Sequence, residues 1–238
     1  MLFTGEQIDE LGEALVREYL GEEADTTLCL DIEGFVTDFL GLRVLYRAFA
    51  EQDKDKIGFL SNGVCPLSVN ENGVAKRIVY DKGTIVVEKL LRREHESGRR
   101  RFTISHEGAH YVMDRTIPKA SFHREFDSER SYTKDEAKCL FSFKEAQIDR
   151  MGAAILMPRF MVRNVVERFG YADGVPIYGE SVVSLTDRIV IKQMANTMGV
   201  SYSAFFIRLR ELGLLDRRSL SEYIASEMGL GRTVTADE

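Results

Sequence analysis

Short runs rich in β-branched and aromatic residues occupy the chain between residues 42 and 91. Turn signals separate these runs at Asn62-Gly63, Asn72-Gly73 and Lys82-Gly83. Asparagine and glycine tolerate a positive φ, so such pairs are typical of tight turns between neighbouring strands. The pattern therefore predicts a small, mostly antiparallel sheet.

Helical patterns lie on both sides of this region. Near the start, Thr4 and Gln7 form a capping box before apolar residues at helical spacing, namely Ile8, Leu11, Leu15 and Tyr19. A second helix is predicted to begin near Asp31 and to end at Gly41. From residue 102 onward the pattern is again helical. The sequence as a whole therefore predicts an α+β fold.

The best candidate for a linker is residues 171–180, because the stretch 170–180 contains three glycines and a proline. We expect an N-terminal domain over residues 1–170, which includes the first helices, the sheet and the histidine-containing helix. A helical C-terminal region is expected over residues 181–238, ending in a polar tail.

Charge and cysteine content limit the function classes. The 238-residue chain has a formal net charge of -6, which argues against general binding to nucleic acid or to anionic membranes. The acidic first residues do not form a secretory signal, and no stretch approaches the roughly 18 apolar residues of a membrane span. Cys29, Cys65 and Cys139 are far apart, which favours reduced thiols. We therefore expect a cytoplasmic protein that does not bind membranes.

The segment RFTISHEGAH, residues 101–110, places two histidines four residues apart on a predicted helix. His106 and His110 would project from one face, one turn apart, so that both imidazoles could reach one ion. Zinc suits this pair, and Glu107 would stand beside the ion, where a carboxylate can take a proton from water. Gly108 lowers the helix propensity, which indicates close packing at that position. The alternative is a helix that carries the motif by chance.

A third ligand is expected from FKEAQIDRMGAAILMP, residues 143–158. Glu145 can complete a site of two histidines and one glutamate. Asp149, one turn later, can accept a hydrogen bond from the outer nitrogen of a liganding histidine. For an isolated pair of acids, solvated surface charges would be the better interpretation. The broad apolar face of this helix, however, indicates that it packs in the core, where acidic groups need partners.

The stretches RRRFTISHEGAHYV and KEAQIDRMGAAILMP together resemble the ImmA/IrrE family of metallo-endopeptidases. The resemblance extends from about residue 25 to about residue 215, and it implies a zincin-like fold. It places the zinc ligands at His106, His110 and Glu145. It also makes Glu107 the general base and aligns Asp149 with the Asn or Asp of the family pattern.

The resemblance implies an intracellular zinc-dependent endopeptidase in which water is activated by zinc and Glu107. Its protein substrate would be a transcriptional repressor that controls a mobile element or a stress response. Gly108-Ala109 and Met151-Gly152 depart from the family pattern, and these departures bear on substrate choice more than on metal binding. By chemistry alone, candidates for a second oxyanion donor are His123, Tyr132 and Tyr111.

The C-terminal region resembles a helix-turn-helix, with Ala195, Gly199 and Phe205 at the characteristic positions and Ser201 available as a helix cap. Residues 181–220 hold six basic side chains against three acidic ones, a modest surplus for a DNA-binding surface. We therefore favour a packing or partner-docking role over nucleic-acid binding. Two alternatives stay open: a DNA-binding regulator with a vestigial metal site, and a metal-bound module that sequesters its partner without cutting it.

Overall fold

The computed structural model describes residues 3–53, 55–116 and 134–230, with the backbone alone at residue 116 and at residues 134–143. The chain divides into two compact units, Met1–Met161 and Val162–Glu238. Small sheets and several helices occur together, which confirms the predicted α+β fold. Across the described residues, no helix combines the length and the apolar character that a membrane crossing requires.

The first unit combines short strands with longer helices. Its strands are β1 (Arg43–Arg47), β2 (Gly58–Leu60), β3 (Leu67–Glu71), β4 (Val74–Ile78) and β5 (Thr84–Glu88). Its helices are α1 (Gly5–Leu20), α2 (Ile32–Gly34, continued by a π-helical turn at Phe35–Phe39), α3 (Ser97–Thr116) and α4 (Lys134–Leu156). The boundary with the second unit falls within α5 (Arg159–Arg168).

The strands of the first unit form two small sheets. In the first, β5 lies between β1, which runs parallel to it, and β2, which runs antiparallel. In the second, β3 and β4 form an antiparallel hairpin whose turn residues Asn72 and Gly73 have φ values of 55° and 83°. The parallel β1–β5 pair arises because β2, β3 and β4 intervene along the chain. Strand β2 is therefore an edge strand of its sheet.

Helix starts follow the predicted caps. Thr4 Oγ1 accepts a hydrogen bond from the Gln7 N–H at 3.2 Å, and the Thr4 N–H donates to Gln7 Oε1 at 2.9 Å. At the second helix, the Asp31 carboxylate accepts from the Gly34 N–H at 3.1 Å. Each cap satisfies backbone N–H groups that have no partner within the helix.

Helix α1 packs on α4 through a face that differs from the predicted apolar line. The buried apolar positions of α1 are Ile8, Gly12 and Val16, whereas Leu11 and Leu15 are only half-buried. A Cβ at Gly12 would lie 2.7 Å from the Ala154 Cβ on α4. The glycine thus lets the two helices approach closely, and the face of α1 that contains Gly12 is therefore the one that packs on α4.

The second unit contains β6 (Val175–Tyr178), α6 (Leu185–Thr197), α7 (Tyr202–Glu211), β7 (Leu215–Arg218) and α8 (Leu220–Ser226). Strands β6 and β7 pair in parallel, and the chain between them forms α6 and α7. The helix-turn-helix pattern lies in these two helices. Ala195 and Phe205 are buried, Gly199 has a φ of 66°, and the Ser201 hydroxyl accepts from the Ala204 N–H.

Residues 171–180, expected to form a linker, contain the buried strand β6, and the two units divide at residues 161–162 instead. The glycines explain the difference. Gly170, Gly174 and Gly179 all have positive φ values, so they turn the chain at both ends of β6. The glycines therefore flank a short strand, which itself contains Pro176, and they do not mark a flexible connection.

Candidate metal centre

Two histidines on α3 face the same space. His106 and His110 are one helical turn apart, and their Nε2 atoms lie 3.2 Å from each other. The rings meet edge to face, with centroids 4.8 Å apart. Their side chains are 21% and 23% exposed, so both are partly shielded yet accessible to a ligand.

Glu145 reaches the same space from α4. Its Oε2 lies 3.6 Å from His106 Nε2 and 3.7 Å from His110 Nε2. Tetrahedral zinc with bonds of about 2.0 to 2.2 Å separates its ligand atoms by about 3.3 to 3.6 Å. The three atoms therefore fit one small metal ion. Within the described part of the chain, these three side chains form a group that could hold a metal ion.

Asp149 contacts the first histidine from behind. Its Oδ1 lies 2.9 Å from His106 Nδ1, an arrangement that holds a proton on Nδ1 and leaves Nε2 free to face the other ligand atoms. Burial lowers the pKa of His106, but the hydrogen bond with Asp149 and the nearby Glu107 carboxylate outweigh it and raise the pKa overall. At His110, burial and the charge of His106 lower the pKa, which favours the neutral imidazole that a metal requires.

A hydrogen bond and a glycine set the distance between α3 and α4. The buried Ser105 hydroxyl donates to the Gly152 carbonyl oxygen at 2.7 Å. A Cβ at Gly152 would lie 3.3 Å from the backbone N and Cα of His106, which is tighter than ordinary contact. The absence of a side chain at residue 152 thus lets α4 bring Glu145 to the histidines.

Glu107 is buried against the edge strand β2 and is 7% exposed. A Cβ at Gly58 would lie 2.5 Å from Glu107 Oε1, so β2 can approach this carboxylate because residue 58 is a glycine. Burial raises the pKa of Glu107 to about 7, although the charge of His106 and a backbone hydrogen bond from Leu60 lower it in part. A carboxyl group with this pKa can accept and release a proton near neutral pH.

Residues 38–210 match the family model of the IrrE N-terminal-like domain, which defines the peptidase family M78. The chain belongs to this peptidase family. The match confirms the resemblance to ImmA/IrrE peptidases and covers both helices that carry the candidate ligands. The M78 peptidase is thus a hydrolase that acts on peptide bonds. No curated protein matches the chain at a significant level.

A cleft of about 800 Å³ opens beside the candidate metal centre of this M78 peptidase. Glu107, His110 and Tyr111 line one wall, and residues 58–62 and 82–83 line the other. A peptide in this cleft would contact both the Glu107 carboxylate and the candidate metal ligand His110. The cleft therefore gives the M78 peptidase a region that can bind a peptide next to Glu107 and His110.

The remaining predicted positions have different outcomes. Gly108 is a point of close approach, as predicted, because a Cβ there would lie 3.1 Å from Val36 Cγ1. Tyr111 lines the cleft, and the Arg115 guanidinium lies 4.2 Å from the centroid of its ring. His123 and Tyr132 lie outside the described residues.

Gly58 and Leu60 contact Glu107, and the sequence pattern alone does not single them out. The available signal is a glycine inside the β-like run KIGFLS, which indicates close approach of another group to the backbone. Which group approaches depends on how the strand and the helix pack, and local sequence does not encode that.

Proposed function

We propose that this M78 peptidase is a zinc-dependent endopeptidase in which His106, His110 and Glu145 hold the ion. The observation that carries the proposal is the convergence of three ligand atoms, from two helices, at separations of 3.2 to 3.7 Å. Two imidazoles and one carboxylate are a donor set that catalytic zinc uses. When bound, zinc supplies Lewis-acid chemistry, which polarises the scissile carbonyl and makes water more acidic.

In this proposal Glu107 handles the protons of peptide hydrolysis. It accepts a proton from water as the water oxygen bonds to the carbonyl carbon. It then gives that proton to the departing amine nitrogen as the C–N bond breaks. The burial of Glu107 against β2 keeps the carboxylate in one position, and its pKa of about 7 suits both transfers. Asp149 orients His106 through the 2.9 Å contact at Nδ1.

Replacement of the base separates catalysis from metal binding. We expect Glu107→Gln to keep stoichiometric zinc and to lower kcat by about 10² to 10⁴-fold, the usual contribution of a general base. Glu18→Gln, at an exposed position on α1, is the matched control and should change neither quantity. Full cleavage by the Glu107→Gln protein would contradict the proposal, as would wild-type protein that lacks zinc after chelator-free purification.

We further propose that the natural substrate is a transcriptional repressor of a mobile element or a stress response in the cytoplasm. The resemblance to ImmA/IrrE peptidases supports this part. The first substrate to test is a repressor encoded beside the peptidase. The wild-type protein should cut it, and the Glu107→Gln protein should leave it intact. An intact complex after long incubation with zinc-loaded wild type would favour the alternative of sequestration without cleavage.

A further inference from the structure

One face of α3 and the edge strand β2 form the walls of the cleft. The lining residues of α3 follow helical spacing, at Glu107, His110, Tyr111, Asp114 and Arg115. Arg115 lies eight residues beyond Glu107, which is about 12 Å along the helix axis. The opposite wall consists of β2, the segment that follows it to residue 62, and residues 82–83. The cleft thus continues from the candidate metal ligands toward the C-terminal end of α3.

Two basic side chains line this cleft in addition to the candidate ligands. Lys82 and Arg115 are both exposed, and no carboxylate among the described side chains lies within 4.0 Å of either charged group. The Asp114 carboxylate also lines the cleft and lies 3.8 Å from Lys144 Nζ, but it is a single exposed negative charge beside two positive ones. The remaining acid, Glu107, is buried. The accessible charge of the cleft is therefore positive.

Neighbouring groups hold both basic side chains along the walls. The Arg115 guanidinium lies 4.2 Å from the centroid of the Tyr111 ring, a cation–π contact that leaves the N–H groups at its edge able to donate. A Cβ at Gly63 would lie 3.3 Å from Lys82 Cβ, so the base of the lysine side chain packs against the turn after β2. Both groups can donate hydrogen bonds to a carboxylate inside the cleft.

We propose that Lys82 and Arg115 make this peptidase select substrates with an acidic side chain two to four residues from the scissile bond. Arg115 lies five residues beyond His110 and eight beyond Glu107, or about 7.5 and 12 Å along α3. An extended peptide advances about 3.3 Å per residue, so it covers these distances in two to four residues. The position of the scissile bond rests on the proposed function, whereas the binding of the acidic side chain does not.

The positive charge of the cleft contrasts with the chain as a whole, whose formal net charge is -6. Long-range electrostatics therefore do not attract an acidic substrate, and the preference depends on local contacts with Lys82 and Arg115. Because both groups are exposed, added salt should weaken the preference.

A binding experiment tests the preference without relying on cleavage. Random-sequence, end-blocked decapeptides are passed over immobilised, zinc-loaded Glu107→Gln protein, and the retained peptides are sequenced by mass spectrometry. We expect Asp and Glu to be enriched about three- to tenfold among them, which is the range that two exposed charge pairs allow. The enrichment should disappear when the same protein also carries Lys82→Glu and Arg115→Glu.

The matched control combines Arg77→Glu with Arg93→Glu, two exposed residues that do not line the cleft. This control changes the net charge by the same amount as Lys82→Glu with Arg115→Glu, and it should keep the enrichment of Asp and Glu. The neutral variants Lys82→Gln and Arg115→Gln replace the charge reversals if those prevent folding. Absence of the enrichment in the protein with Lys82 and Arg115 intact, or its persistence in the Lys82 and Arg115 variants, overturns the proposal.

Cleavage of the same decapeptides by zinc-loaded wild type tests the predicted position. Acidic residues should be enriched two to four residues from the cleaved bonds, on one side. Cleaved bonds without this enrichment overturn the proposed position. If no bond is cut while the Glu107→Gln protein still retains acidic peptides, the proposed peptidase mechanism fails and the binding preference is supported.

Discussion

In the second unit the buried polar side chains among the described residues bond to neighbouring side chains, whereas in the first unit several polar side chains face one shared space. Ser184 and Tyr171 both donate to the Asp187 carboxylate, at 2.6 and 2.8 Å. The fully buried Arg208 pairs with Glu211 at 3.2 Å. These contacts give the Asp187 carboxylate and the Nη1 atom of Arg208 hydrogen-bond partners within the unit, so they offer little to a ligand.

The first unit arranges its polar side chains differently. His106, His110 and Glu145 bring three potential ligand atoms together from two helices. Beside them, Glu107 is buried and its pKa is raised to about 7. Clustering or burying ionisable groups in this way lowers the stability of the fold. Such arrangements are therefore typical of sites where a ligand or a reaction uses these groups. The contrast teaches that polar residues alone do not indicate a site, and that their partners within the fold must be known.

The contrast also bears on the DNA-binding alternative. Of the six basic side chains in residues 181–220, Arg208 is buried and Arg218 pairs with Asp216 at 2.7 Å. Buried or paired guanidinium groups contribute little to phosphate binding. Because Glu211 and Asp216 are the partners of these two groups, four basic side chains remain against one acidic one, and the surplus stays at three. That surplus is modest for a DNA-binding surface.

The largest expected effect tests whether the second unit has a purely structural core. Phe205 is fully buried on α7, so Phe205→Ala should lower the free energy of unfolding by about 3 to 5 kcal/mol. Urea titration would measure this change, and a zinc titration of the folded variant should give the wild-type affinity. A large loss of zinc affinity in the folded variant would contradict the claim that the core of the second unit has a purely structural role.

The next effect concerns how the free energy of unfolding of metal-free protein depends on pH. The folded-state pKa of Glu107 is about 7, above its ordinary value of 4.5, so the folded state retains a proton that the unfolded state releases between these pH values. The free energy of unfolding should therefore fall as pH rises through this window, by up to about 3 kcal/mol. Urea unfolding of chelator-treated wild type and Glu107→Gln at pH 5 and pH 8 measures it. Equal pH dependence in both proteins would contradict the proposed cost of burying Glu107.

A smaller effect tests the contact between β2 and the base. Gly58→Ala adds a Cβ that would lie 2.5 Å from Glu107 Oε1, so the carboxylate must move. We expect kcat to fall by about 100-fold, which is the cost of a displacement of about 1 Å, while zinc content stays at the wild-type value. Unchanged kcat in a zinc-loaded variant would show that the position set by Gly58 is not needed.

The smallest effect concerns the orientation of a ligand. Asp149→Ala removes the 2.9 Å contact to His106 Nδ1 and should weaken zinc affinity by about 10- to 100-fold. Competition with a chromophoric chelator measures this affinity. Glu10→Ala, at an exposed position on α1, is the control and should bind zinc as wild type does. Equal zinc affinity in the two variants would contradict the proposed role of Asp149 in orienting His106.

The sequence predicts those parts of the fold and site that depend on local spacing. The distance of four residues between His106 and His110, and between Glu145 and Asp149, places each pair on one helical face. Turn signals such as Asn72-Gly73 likewise depend on the φ values of single residues. The structure brings the predicted side chains together because these local rules and the pairing of α3 with α4 agree.

Features that depend on packing between distant segments are not predicted. The burial of Glu107 requires Gly58, which is about fifty residues away in sequence and reaches it through the β2–β5 pairing. The buried face of α1 includes Gly12 because Ala154 lies against it. In these cases a glycine acts by the space that it leaves, and neither hydrophobic periodicity nor helix propensity records that space.

The most direct test compares the metal content of wild type and Glu145→Ala after purification without chelators. The proposal requires one zinc ion held by side chains from both α3 and α4. Wild type should therefore carry one zinc per chain, and Glu145→Ala should lose its zinc to a mild chelator, while Glu10→Ala keeps it. Wild type without zinc, or Glu145→Ala that retains zinc with wild-type affinity, would contradict the proposed metal site.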